Sequence, residues 1–373
     1  MNFDLYKHTI LLTVSGSRAY GIHTDRSDVD LKGVAVPPAA YLLGCSSAFE
    51  QADKASHMEP FRELLKGDEV AAARDTKLEG SVYALNKFCR LAMDGNPNIL
   101  DALFCRDEDV RLATPIGRKL RENRELFVSA KCKHTFSGYA FQQLQRIKLH
   151  RRWLLSPMEQ QPTREDFDLF EGINPGQIKA AMAAANKVVD EWELDLSRLD
   201  KSERVPVMQG VARYMAELSI VGDAKWQAAG RSIGYSENFL AILDRERQWK
   251  NAVDDWKKYQ YWKKHRNPAR AALEAAHGYD TKHGAHLFRL LKMAREILTT
   301  GQVNIWRDDR DEILEVRAGG WTYERLVEWA EEEERSLGVI YREKRYSIPQ
   351  TTDRAAIDAL CVTLTETALR EHG

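Results

Sequence analysis

The sequence predicts an α+β fold, a mixed sheet with helices over about the first 115 residues followed by a mainly α-helical portion. Apolar runs of strand character fill the stretch from residue 9 to 36, and another is expected near 75–83. Beyond about residue 112 the apolar residues recur at helical rather than alternating spacing. At 373 residues the chain is long enough for more than one core, so the division is drawn as 1–115 and 116–373.

The run Ile10-Leu11-Leu12-Thr13-Val14 makes a strand over 9–15, and Ser15-Gly16-Ser17-Arg18 turns it. A second strand, 28–36, reads Asp28-Val29-Asp30-Leu31, continues through Gly33-Val34-Ala35-Val36 and is closed by Pro37-Pro38. Side chains alternate along a strand, so Asp28 and Asp30 share one face while Val29 and Leu31 face the core. Residues 45–75 have no clean period and read as loop with a short helix. Leu85, Phe88, Leu91 and Ala92 fall at helical spacing, and Gly95-Asn96-Pro97 stops that helix before a second one over 99–104.

In the helical portion, Phe136, Ala140, Leu144 and Ile147 form one apolar stripe. Breaks fall at Ser156-Pro157 through Pro162-Thr163 and at Asn174-Pro175-Gly176. Helices are expected over 177–192, 204–221, 237–264 and 281–298, with Asn267-Pro268 opening or bending the one after 264. A further strand is expected within 303–317, and the acidic run 331–334 reads as a solvated helix face.

Apolar residues make up 43 % and charged residues 30 %, with 55 Lys+Arg against 56 Asp+Glu and a net charge of -1. This balance excludes a global electrostatic footprint for nucleic acid and leaves only local patches. Five scattered cysteines without a C-x-x-C pair read as free thiols in a reducing compartment. No basic leader and no run of about 18 apolar residues is found, so a cytoplasmic protein without a membrane partner is expected.

Two carboxylates on one strand face repel unless a cation sits between them, and Mg²⁺ takes carboxylate and phosphate oxygens. Gly16 lets the backbone approach a phosphate, and Ser17 adds a hydroxyl. This order, an apolar strand, Gly-Ser and a spaced Asp-x-Asp, resembles the DNA polymerase β nucleotidyltransferase superfamily. Val82-Tyr83-Ala84-Leu85-Asn86-Lys87-Phe88, Gly95-Asn96-Pro97-Asn98-Ile99-Leu100, Arg266-Asn267-Pro268 and Gly278-Tyr279-Asp280-Thr281-Lys282-His283 look like the predicted bacterial and phage members associated with RNA-repair gene clusters.

The resemblance implies a polymerase-β-like catalytic domain over 1–115 and a helical domain over 116–373 that closes the cleft and presents the acceptor. It implies Mg²⁺ (or Mn²⁺) held by Asp28, Asp30 and a third acid, with an NTP as substrate. Glu79 and Asp75 share the strand parity required of that third acid. Gly16, Ser17 and Arg18 are expected on the phosphates. On helix 281–298, Lys282, His286, Arg289 and Glu296 share one face, opposite the stripe of Leu287, Leu290, Leu291, Ala294, Ile297 and Leu298. Lys282 is the best phosphate ligand among them, and His286 and Arg289 are further nucleotide-binding candidates. His283 falls nearer the apolar stripe, and His277, His283 and His286 lack the spacing of a zinc site.

Two stretches interleave cations with aromatics: Arg146 and Arg151 near Tyr139 and Trp153, and Lys263, Lys264 and Arg266 beside Tyr261 and Trp262. Such mixtures bind phosphate backbones and stack on bases. The expected reaction moves a nucleoside monophosphate to a hydroxyl, foremost a tRNA-like RNA 3′ end, releasing pyrophosphate. The alternatives are a protein side chain or small molecule as acceptor, and an inactive nucleotide or RNA sensor.

Overall fold

The computed structural model describes residues 3–24, 27–74, 78–169, 175–191 and 223–372. Five strands form one mixed sheet: β1 (Thr9–Ser15), β2 (Asp30–Ala35), β3 (Gln51–Ala52), β4 (Glu79–Ala84) and β5 (Val110–Ala113). Their order is β3-β4-β2-β1-β5. β1 pairs antiparallel with β2 and β5, β3 pairs antiparallel with β4, and β2 and β4 run parallel. β1 is buried along its whole length, which is why it reads as a continuous apolar run rather than an alternating one.

Alternation along β2 separates two cores. Leu31 and Ala35 pack with Leu12, Val14 and Val82 on one side, whereas Val34 belongs to the larger core on the other. Asp30 and Lys32 share the parity of Val34 and therefore stand on the side of the larger core. The helices of that core position the site.

Four helices follow the central strands: α1 (Leu85–Met93), α2 (Pro97–Phe104), α3 (Pro115–Glu122) and α4 (Cys132–Leu155). The Gly-Asn-Pro break works as expected, because Asn96 caps α2 by accepting the Asn98 N–H at 3.0 Å and Pro97 occupies its first turn. Beyond these lie α5 (Pro175–Glu191), α6 (Asp223–Ser232), α7 (Glu237–His265), α8 (Pro268–His277), α9 (Thr281–Thr300), α10 (Arg310–Arg317), α11 (Tyr323–Arg342) and α12 (Arg354–His372).

α9 starts at Asp280, whose carboxylate accepts the His283 N–H at 3.1 Å, and stops at Gly301 with φ 73. Its stripe of Leu287, Leu290, Leu291, Ala294, Ile297 and Leu298 is buried, and so is the α4 stripe of Phe136, Ala140, Leu144 and Ile147. The two helices pack against each other in the larger core.

The chain divides into two compact units, Met1–Leu155 with Asn267–Gly373, and Ser156–Arg266. The second unit has a small core of its own, including Ile178, Trp226, Leu240 and Leu243. Among the described residues no helix is long and apolar enough to cross a membrane.

Three expectations are corrected. No strand forms within 303–317, because Ile313 and Val316, three residues apart, both turn inward on a helix, α10. The acidic run on α11 is not simply solvated, since Glu331, Glu333 and Glu334 pair with Lys148, Arg295 and Lys133. Residues 45–75 hold the short strand β3 and several one- or two-turn helices. The helix expected over 204–221 and the break at Asn174 lie outside the described residues.

Candidate active site

The ends of three neighbouring strands meet at one end of the sheet. Asp30, the first residue of β2, pairs with Ser15 at the end of β1 and with Glu79 at the start of β4. Parallel pairing of β2 with β4 thus sets two acids side by side, although nearly fifty residues separate them in sequence. One carboxylate oxygen from each of Asp28, Asp30 and Glu79 lies within 4.8 Å of the others.

Asp28 and Glu79 are exposed and Asp30 is half-buried. Burial, then the charges of Asp28 and Glu79, push the pKa of Asp30 up to about 6 against the pull of Lys32 and Lys282. Carboxylates forced together in this way fit a divalent cation, which relieves their mutual repulsion through oxygen ligands. Asp75, the other candidate third acid, lies outside the described residues.

Gly16 has φ +67, and a Cβ there would stand 2.3 Å from Oδ2 of Asp30. Only glycine fits both the left-handed backbone and that close approach. Ser17 follows on the cleft wall. Arg18, expected on the phosphates, is instead buried and turned to the loop that precedes β2. Its Nε donates to the Asp28 carbonyl at 3.2 Å, Nη2 to the Ser27 carbonyl at 3.3 Å and Nη1 to Asp68 at 2.6 Å. The guanidinium therefore clamps the turn that presents Asp28.

The acids open into a cleft of about 980 Å³, and Lys282, His286 and Arg289 of α9 line it together with Arg146 of α4. Residues far apart in the sequence thus meet in a single compact unit. Burial drives the pKa of His286 down to about 3, with Arg289 adding to the effect, so the ring is neutral at physiological pH. Arg289 is itself buried, its guanidinium 3.7 Å from the centre of the Tyr20 ring, and the Tyr20 hydroxyl donates to Asp101. Burial likewise lowers the pKa of His283 to about 4, and its Nδ1 lies 2.7 Å from Oε1 of Gln143.

Among the wall residues that the sequence pattern does not single out are Lys32, Gln143, Arg270 and Arg317. Lys32 was within reach, since it continues the parity of Asp28 and Asp30. The other three carry no local signal, because their arrival depends on how the helices pack.

Arg151 is not brought to the cleft wall. It donates to the Gly278 carbonyl at 3.1 Å and to Glu324 at 2.9 Å, and lies over the Tyr323 ring. Lys263, Lys264 and Arg266 belong to the other unit, Lys263 and Lys264 exposed at the end of α7 and Arg266 4.6 Å over the Trp262 ring. Nearby, Tyr259 is buried whereas Tyr261 is exposed.

Gly-Ser at the end of β1, with acids presented from β2 and its parallel neighbour β4, is the arrangement expected of a nucleotidyltransferase domain of the DNA polymerase β superfamily. More particularly, residues 5–160 match the RlaP family, the RNA repair pathway DNA polymerase beta family. The resemblance drawn from the Gly-Ser and Asp-x-Asp motif is borne out over those residues. The chain is also 22 % identical over 330 residues to an uncharacterized 38.9 kDa protein in the nrdC-mobD intergenic region of Enterobacteria phage T4, covering 87 % of each chain. No solved structure matches.

Proposed function

We propose that the chain transfers a nucleoside monophosphate from an NTP to a hydroxyl acceptor, foremost the 3′ end of a tRNA-like RNA. The observation that carries this reading is the pairing, in one cleft, of three converging carboxylates with a wall of cations. An acceptor oxygen attacks the α-phosphorus, a new O–P bond forms, and the bond to the bridging oxygen of the β-phosphate breaks to release pyrophosphate.

Asp28, Asp30 and Glu79 are the residues to hold Mg²⁺ (or Mn²⁺). When bound, the metal neutralises triphosphate charge and lowers the pKa of the attacking hydroxyl. Gly16 and Ser17 receive the β and γ phosphates at the end of β1, and Lys282 approaches them from α9. Arg289, held over Tyr20, adds fixed positive charge behind that contact. Neutral His286 offers hydrogen bonding rather than charge. Residues 116–373 supply the helices α4 and α9 of the cleft wall and present the acceptor.

An RNA acceptor is supported by the family match and by the cation-aromatic surface at the end of α7. The test incubates the chain with each α-labelled NTP, Mg²⁺, total cellular RNA and lysate protein, beside an Asp28→Ala/Asp30→Ala control. Label in RNA supports the reading. Label confined to protein or a small molecule keeps the chemistry and overturns the acceptor, and no label with any NTP revives a nucleotide-sensing role.

A further inference from the structure

A second set of metal-ligand side chains is built from residues other than the acidic triad. His150 on α4, with Asp280 and His283 at the start of α9, each offer one ligand atom, and those atoms lie within 4.8 Å of one another. Nε2 of His283 is 3.5 Å from Oδ2 of Asp280. Two ligands about 2.0–2.2 Å from one tetrahedral Zn²⁺ stand at a similar separation.

The surroundings of the cluster are those of a metal site as well. Oε1 of Gln143, 2.7 Å from Nδ1 of His283, accepts the proton of that nitrogen and leaves Nε2 with its lone pair toward Asp280. Oε1 of Glu274 on α8 lies 3.5 Å from Nδ1 of His150. Ligating histidines are commonly oriented by an acceptor on their other nitrogen, as Gln143 orients His283. Asp280 and Glu274 are only 3 % and 2 % exposed. Carboxylates so buried beside two imidazoles are stabilised by a cation among them. Nη1 of Arg270, 3.7 Å from Oδ2 of Asp280, is the competing charge, and its side chain is partly exposed on the cleft wall.

We propose that His150, Asp280 and His283 bind one transition-metal dication, with Zn²⁺ the best match to two imidazole nitrogens and one carboxylate oxygen. Water completes its coordination. The ion joins the first turn of α9, which carries Lys282 into the cleft, to α4. Its role is structural, and it does not depend on the nucleotidyl-transfer reading.

The test strips the full-length chain with chelator, re-equilibrates it with zinc chloride and measures zinc per chain after gel filtration. One retained zinc is expected, unchanged in Asp28→Asn/Asp30→Asn and lost in His150→Ala/His283→Ala. Gln143→Ala, which keeps every ligand, is expected to weaken zinc binding by roughly 10–100-fold. Added zinc is also expected to raise the Tm of the wild type and of Asp28→Asn/Asp30→Asn alike. A wild-type chain without zinc, zinc lost with the catalytic aspartates, or zinc kept by His150→Ala/His283→Ala overturns the proposal. The wild-type and aspartate-variant readouts decide the matter even if the histidine variant does not fold.

Discussion

At the residue scale, the close approach of Gly16 to Asp30 fixes where the acid sits. Gly16→Ala puts a methyl group into the Asp30 carboxylate and strains the backbone at φ +67. It is expected to lower nucleotidyl transfer by about 10²-fold through misplacement of the acid, with little change in circular dichroism. His286 supplies a pH prediction. Its pKa is pushed to about 3 in the fold, whereas the unfolded chain takes up that proton near the ordinary 6.5. Unfolded chains therefore bind more protons as pH falls below 6.5, and stability is lost on the acid side. Denaturant unfolding at pH 7 and pH 5 should show this loss, and His286→Gln should shrink it; NMR should find no titration of His286 between pH 5 and 8.

Among the elements, the decisive one is the loop entering β2, because it sets Asp28 in place. Arg18 holds that loop through two backbone carbonyls and Asp68. Arg18→Met leaves buried carbonyls without a charged donor and is expected to cost about 1–3 kcal/mol of stability by denaturant unfolding, with a higher Mg²⁺ requirement for activity. The strands were legible because β1 and β2 are apolar runs bounded by Gly-Ser and Pro-Pro, and α9 because its stripe has helical spacing. Sequence position puts Arg18 beside the phosphate turn, but burial decides which way its guanidinium points. Glu79 was legible as a candidate only, since its partnership with Asp30 requires a parallel register that no local pattern encodes. Arg270 and Arg317 carry no local signal, because tertiary packing alone brings them to the cleft wall.

For the whole molecule, the proposed reaction class rests on the first strands of the sheet, and the long-range meeting of sheet and α9 forms the cleft in which it is proposed to run. The acceptor belongs to this scale too. Neutralising Lys263, Lys264 and Arg266 together is expected to weaken RNA transfer and to flatten its salt dependence. The log–log salt slope should fall by roughly 0.7 for each single-strand phosphate that these cations no longer neutralise. Transfer to a small-molecule hydroxyl should be largely unaffected; an equal drop for both acceptors contradicts an RNA-binding role for this surface. If Asp28, Asp30 and Glu79 form one catalytic centre, pyrophosphate release from NTP with Mg²⁺ and RNA depends on all three. Release is expected from the wild type and its loss in each of Asp28→Asn, Asp30→Asn and Glu79→Gln, all three still folded. Wild-type levels of pyrophosphate from any of these variants would contradict that single centre.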